Sequence, residues 1–473
     1  MTNEIPLTVE DAAAALRQGN LSSVELTGAC LARADALDPV LGTYLLRFDE
    51  PALAAAATAD DELAAGVDRG PLHGIPVGMK DILAMPEGPT TAQSLVLDRA
   101  WGAGKEGPVV RRLKAAGAVI TGKVTTMEFA CGMPDPAKPF PLPRNPWDTN
   151  TWPGGSSSGT GSGVAAGMFL AGIGTDTGGS IRIPAAFCGV SGLMPTFGRV
   201  PKSGCVPLGF TLDHIGPLAR SAWDCGAMLD VLAGYDPSDP NAVTRAVAEH
   251  VTGIDDGIAG MRIGVMREFH FPEDADPAAE IAFDLALDVL EAQGAELIDV
   301  SIPLYQEVLA AMMITASAEM GAYHLPDAQT RWDDYFTATR IGLARGAFAT
   351  GADYVQAQRV RRVGQLALSQ LYEEVDVIVT PTACAGATSY DDILDPDADP
   401  MALFATVFTP YWDAVGNPVL VVPMGFTADG LPLSLQLAGR PFEESNLVRV
   451  GRSYQSATDF HVRVPALAAG ALV

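Results

Sequence analysis

GGSSSGTGSGVAAGMFLAGIGTDTGGSIRIPAAFCGVSGLMPT, residues 154–196, is the stretch on which the reading of this 473-residue chain turns. It is dense in glycine, serine and threonine, and a TDTGGS turn leads it into an apolar run. Tight turns, close backbone packing and hydroxyls serving local backbone groups account for any one Gly-Ser pair. They account less well for three adjacent serines, Ser156, Ser157 and Ser158, followed 24 residues after the first by Ser180 behind two glycines. Consecutive glycines let backbone N–H groups converge on one point, which is what stabilising an oxyanion demands.

Spacing tests three other uses of so much glycine. A Walker phosphate loop needs a lysine after its last glycine, and none lies between Lys138 and Lys202. A dinucleotide fingerprint needs GxGxxG; Gly161–Gly163–Gly167 and Gly172–Gly174–Gly178 are each one residue too long. A nucleophile elbow, GxSxG, is matched literally by Gly155-Ser156-Ser157-Ser158-Gly159. However, NPWDTNTWP precedes it where a strand belongs, and the base would have to be His461 or His324.

Outward from that stretch, the pattern is one of alternating helices and strands. Towards the N-terminus, Thr8 to Asp11 and Ser22 to Glu25 have capping-box spacing ahead of helical periodicity. Residues 51–65 are an alanine-rich helix, GPLHGIPVGMKDIL reads as a strand entering a turn with Lys80 and Asp81 just after it, and 109–123 as a helix and a strand. MPDPAKPFPLPRNPWD, at 133–148, is too rich in proline for regular structure. Towards the C-terminus, MRIGVM, 277–293 and AELIDVSIP form a βαβ unit with parallel pairing, and 305–375 are mainly helical. DVIVTPT, NPVLVVPMG and LPLSLQLAG are continuous apolar runs suited to a sheet buried on both faces. No repeat and no linker separates two cores, so one large α/β domain over 1–473 is expected. Within it lie a helical part (1–69), a motif-bearing region (70–220), a βαβ and helical part (236–400), and C-terminal strands with a helix (401–473).

Composition narrows the function classes. Fifty-seven acidic residues against 30 basic give a formal net charge of −27, which repels polyphosphates, and no Lys/Arg run offsets it. No nucleic-acid partner is expected. The opening residues carry no basic stretch before an apolar core, and apolar stretches are broken by Gly, Pro or charge, so neither a secretory leader nor a membrane span is expected. Six cysteines without CxxC spacing read as reduced thiols in a cytoplasm. Six histidines include no HxxxH pair, so no metal and no cofactor is expected.

Three ordered motifs together identify a resemblance: GIPVGMKD at 74–81, GGSSSG at 154–159, and GTDTGGSIRIPAAFCGVSGLMPT at 174–196. They resemble the amidase signature family, and the likeness runs almost end to end, through TGKVTTMEFACG at 121–132, RNPWD at 144–148, GRVPKSG at 198–204, TLDHIGPLAR at 211–220 and GNPVLVVPMGFTADGLPLSLQLAGRPF at 416–442. The resemblance implies a single α/β domain with a central mixed, mostly parallel sheet covered by helices on both faces. It implies hydrolysis of an amide-type carbon–nitrogen bond in an amide, anilide or carbamate, with esters also cleaved. Ser180 falls on the family's acyl-forming nucleophile and Lys80 on its proton-accepting lysine. Ser156 falls on the bridging serine, whose preceding peptide is typically cis. Thr177, Gly178 and Gly179, with Ser180, supply the amides that match the oxyanion hole.

That assignment makes chemical sense. A serine hydroxyl needs a base within hydrogen-bond reach, and a lysine at its solution pKa of about 10.4 is protonated and useless as one. Burial disfavours the ammonium, and the apolar GIPVGMKDIL permits burial. Taken alone, Lys80 reads as a surface lysine paired with Asp81; the serine motifs reverse that. Asp176 and Arg182 read as a charged pair fixing the loop rather than as substrate ligands, and Cys188 as core filling.

Specificity is less legible. Phe140, Trp147, Trp152, Phe408, Tyr411 and Trp412 could wall an apolar or aryl pocket and could equally be core. The partner expected is a small-molecule amide, anilide or carbamate, and a homodimer is compatible with it. The alternative within the family is the glutaminase component of a glutamyl-tRNA(Gln) amidotransferase, its A chain, which releases ammonia from glutamine for a partner protein. Those chains usually carry GGSSGGSA where this one has GGSSSGTGS, and PLGFTLDHIGP lacks their serine-rich form. A catalytically silent scaffold is disfavoured because all three triad positions are filled.

Overall fold

The computed structural model describes residues 6–395 and 403–470. The first five residues of the segment read for a leader therefore lie outside it, as do parts of the last two stretches delimited above. The strands are β1 (Tyr44–Arg47), β2 (Pro76–Lys80), β3 (Val119–Val124), β4 (Ala171–Asp176), β5 (Ser191–Met194), β6 (His214–Ala219), β7 (Arg262–Val265), β8 (Glu296–Asp299), β9 (Val377–Pro381), β10 (Val419–Phe426) and β11 (Pro432–Gly439). All join one 11-stranded sheet in the order β1-β3-β2-β4-β6-β5-β10-β11-β9-β7-β8.

Parallel pairing links β2 with β3 and β4, and β7 with β8 and β9; the remaining pairs are antiparallel. The sheet is thus mixed, as expected, but it is not mostly parallel. The βαβ pairing of β7 with β8 was legible because a helix lies between them. The centre reverses because β5, β6, β10 and β11 are joined by connections whose direction no local pattern records.

Period-2 alternation divides the sheet's side chains between two faces. Val77, Met79, Ile173, Val377, Val379, Leu420 and Val422 share a core with the helices Ala222–Leu232, Pro277–Ala292 and Glu444–Ser456. The interleaved Leu218 and Val421 pack with the helices Ser158–Ala166 and Arg182–Cys188. Ile378, Val419 and Ala438 pack with Tyr305–Ala328 and Gly351–Glu374. Helices therefore cover both faces. Thr8 caps the helix Val9–Arg17, and Ser22 with Glu25 forms the capping box of Ser23–Leu41.

One feature of the central strands positions the site. A Cβ on Gly172 would come within 2.6 Å of the Thr160 methyl, and one on Gly174 within 2.8 Å of Ser157 Oγ. Glycine in β4 is what lets the serine-bearing helix start sit directly on the sheet.

Candidate active site

Lys80 is the last residue of β2 rather than a residue after it. Alternation sends Val77 and Met79 to one core and leaves Lys80 on the side of the serine loop, fully buried. Its Nζ lies 2.8 Å from Ser156 Oγ, 2.9 Å from Ser157 Oγ and 2.7 Å from Thr175 Oγ1. No carboxylate among the described residues comes within ion-pairing distance of it. Asp81 instead faces Lys123, 3.1 Å away, so the surface Lys80–Asp81 pair does not form. Burial without a counter-ion pushes the Lys80 ammonium from the usual 10.5 down to about 7.

The serine loop is fixed by its backbone. The Gly155–Ser156 peptide is cis, the Met127 amide donates to Ser156 O at 3.1 Å, and the Ser157 amide donates to Ser180 O at 3.3 Å. That last bond sets the loop beside the TDTGGS turn, 23 residues on in sequence. Ser157 and Thr175 are the two neighbours of Lys80 that the sequence reading missed. Ser157 donates to Thr175 O at 3.3 Å and accepts from the Thr175 amide at 3.2 Å. Within a run of three serines nothing local separates its role from that of Ser156.

The turn carrying Ser180 wraps around the Asp176 carboxylate. Oδ2 accepts from the Ile181 amide at 3.1 Å and from Arg182 Nε at 2.9 Å, and Oδ1 accepts from the Gly179 amide. Asp176, Arg182 and Asp413 are all fully buried, with Arg182 bridging the two carboxylates. Burial alone would raise Asp176, but the Arg182 charge and the amides outweigh it and hold its pKa below the usual range. Burial beside a second carboxylate pushes Asp413 well up instead. The loop-fixing role expected of Asp176 and Arg182 is what these contacts describe. Asp413, 231 residues from Arg182, was out of reach of sequence reading.

Three amides in this turn were expected to face an oxyanion together with that of Ser180. The Gly179 amide is claimed by Asp176, which departs from the expectation for that residue. Gly179 has φ of +129°, and a Cβ there would lie 2.1 Å from Thr409 Oγ1, so only glycine fits. Thr409 donates to Gly178 O at 2.7 Å, which fixes the Gly178–Gly179 peptide, and Thr177 Oγ1 donates to Asp213 at 2.6 Å. The Thr177, Gly178 and Ser180 amides have no acceptor among the described residues.

Ser180, half-buried, opens with Gly155, Thr177 and Gly178 on a cavity. Its walls are largely apolar, with Trp152, Ile183, Leu208, and a face of Tyr305–Ala328 bearing Met312, Met313, Ala316 and Met320. Of the six aromatics singled out as wall or core, only Trp152 lines it. Trp147 donates from Nε1 to Cys188 O and packs on Phe426, Phe140 packs on Phe336, Phe408 on His270, and Tyr411 between Tyr305 and Trp412. The methionine stripe, at helical spacing, was the legible signal that went unused. Cys188 is buried core, its thiol pushed up by burial. The nucleophile-elbow reading finds no base: His324 is held by Tyr335 and packs on Phe129, and His461 lies in the short turn Phe460–Val462.

Comparison with known proteins identifies the family. The family model described as Amidase matches residues 25–448. The chain is 40% identical to the A chain of the glutamyl-tRNA(Gln) amidotransferase of Chloroflexus aggregans, over 99% of its own length and 100% of that protein's. It is 37% identical to an amidase of Pseudomonas putida, over 99% of each. The native peptide amidase of Stenotrophomonas maltophilia superposes with a TM-score of 0.82 at 30% identity, over 96% of this chain and 98% of that one. No helix among the described residues is long and apolar enough to cross a membrane.

Proposed function

The chain belongs to the amidase family and is an amide-hydrolysing enzyme, and from that premise we propose that it cleaves amides with an apolar acyl or amine group through an acyl-enzyme on Ser180. The observation that carries this reading is the buried Lys80 amine, ringed by three hydroxyl oxygens and by no carboxylate among the described residues. A neutral lysine has two N–H donors and one lone pair. Ser157 directs its own hydrogen to Thr175 O, so its oxygen accepts from Lys80; Thr175 Oγ1 accepts the second N–H. The lone pair is then left for the Ser156 hydroxyl. In the proposed cycle Lys80 takes the Ser156 proton as Ser156 takes that of Ser180, whose oxygen attacks the carbonyl carbon. The Thr177, Gly178 and Ser180 amides receive the oxyanion. The relay returns the proton to the leaving amine, and water then repeats the cycle in reverse to free the acid.

The pH dependence follows from burial. With Lys80 depressed to about 7, its ammonium predominates below that pH and offers no lone pair. The expected kcat/KM falls about tenfold per unit below pH 7 and levels above it. A profile that keeps rising towards 10 would mean that Lys80 is solvated and would overturn its role as base.

A second reading is favoured by the 40% full-length identity to an amidotransferase A chain: release of ammonia from glutamine for a partner. The relatives' names weigh towards it, whereas the apolar wall of Met312, Met313, Met320 and Ile183 weighs towards a substrate with more hydrocarbon than glutamine offers. Each extra buried methylene contributes about 0.8 kcal/mol. Two or three of them favour hexanamide over glutamine by on the order of tenfold or more in kcat/KM. Ammonia release from both, measured with the purified chain alone, separates the readings. Turnover of glutamine with hexanamide left intact, or turnover only with a co-purifying second protein, would favour the second.

A further inference from the structure

Among the described residues, the wall of the cavity beside Ser180 contains one charged side chain, that of Arg345. It belongs to the helix Thr337–Phe348, whose Ala338, Ile341, Gly342 and Arg345 line the cavity at i, i+3, i+4 and i+7, a single stripe. Every other described arginine makes a hydrogen bond, an ion pair or a ring contact. Arg345 alone among the described residues of its type makes none, although the chain carries 57 acidic residues. Its backbone is nonetheless held firmly. The next residue, Gly346, sits where a Cβ would come within 2.2 Å of Ser317 O, so the helix is pressed onto Tyr305–Ala328 at the cavity wall.

We propose that Arg345 is a specificity-determining residue that binds a carboxylate at the far end of the substrate's apolar segment. The proposal rests on the reading of Ser180 and its cavity given above, and it names the substrate class as ω-carboxylated amides. The guanidinium is exposed, so it needs no protein partner. A carboxylate arriving at the end of a hydrocarbon chain supplies two acceptors in the fork geometry that a guanidinium matches. The methionine face takes the methylenes between that carboxylate and the scissile amide. A purely structural role is the competing account, since Arg345 lies in the last turn of its helix, where a cation complements the helix dipole. Such a role changes stability and leaves substrate preference alone.

The test compares adipamic acid with hexanamide, which share a six-carbon chain and differ in the terminal carboxylate. In the wild-type chain kcat/KM is expected to favour adipamic acid. In Arg345→Gln that preference should fall by about tenfold to a hundredfold, the loss lying in KM rather than kcat, and Arg345→Lys should retain part of it. Protection of Ser180 from fluorophosphonate labelling by the two amides gives the same comparison without turnover. An unchanged ratio in Arg345→Gln, or a wild-type preference for hexanamide, overturns the proposal while leaving the cavity's role intact. Failure of fluorophosphonate to label Ser180 overturns the underlying reading and this inference with it.

Discussion

Ser180→Ala is expected to abolish acyl-enzyme formation and to lower turnover by on the order of 10⁶-fold, the scale on which removal of a nucleophile acts in serine hydrolases. Ser180 stands beside the three unclaimed amides and opens on the apolar cavity, and its segment is tied to the serine loop through its carbonyl oxygen, which alanine keeps. The substitution removes one oxygen from a half-buried position, so the fold should survive and the loss should be chemical. Intact-protein mass after brief exposure to an activated ester gives the answer directly. The wild-type chain should gain one acyl group, located on Ser180 by peptide mapping, and the variant should gain none. A group mapped to Ser156 would overturn the assignment, and one mapped to Ser157 would reinstate the elbow reading of Gly155–Gly159. The histidines do not support that reading, since His324 is held by Tyr335.

The Lys80–Ser156 contact was legible because each partner sits in a motif long enough to be distinctive. Its neighbours were not. Thr175 reaches Lys80 only because β2 and β4 pair in parallel, with Met79 beside Ile173, and pairing between strands separated by about 90 residues leaves no local trace. The glycines that make β4 flat enough for the serine loop also hide it as a strand, since AGIGTD lacks the β-branched run that marks one. β1 escaped for a different reason: four residues, YLLR, half exposed at the edge of the sheet, give too short an alternation to stand out from the helices around it. By contrast β9, β10 and β11 were legible as continuous apolar runs, because strands buried on both faces need no polar positions. Strand direction was the part misread. The apolar content that reveals a buried strand is the same whichever way the strand runs.

The second large effect is expected at the base. Lys80→Met should lower kcat/KM by between about 10⁴- and 10⁶-fold, because it removes the amine placed to accept the proton from Ser156. Methionine fills nearly the same volume and removes the cost of burying an amine among hydroxyls, so the variant should be at least as resistant to denaturant as the wild type, which separates lost chemistry from lost fold. Ser156→Ala should cost less, about 10²- to 10⁴-fold, since water can stand between Lys80 and Ser180 where the hydroxyl was. If the two act as one relay, their effects cannot add: once Lys80 is gone, the Ser156 hydroxyl has no base to pass a proton to. The double variant should therefore lie within a few-fold of Lys80→Met alone. Ser156→Ala should still form the Ser180 adduct with an activated ester, only more slowly. Full additivity of the two losses, or a Lys80→Met chain that keeps a tenth of wild-type activity, would mean that Ser156 and Lys80 act on Ser180 by separate routes. In that case Ser157 and Thr175, the other oxygens at 2.9 and 2.7 Å from the amine, would be the groups to examine for the missing connection.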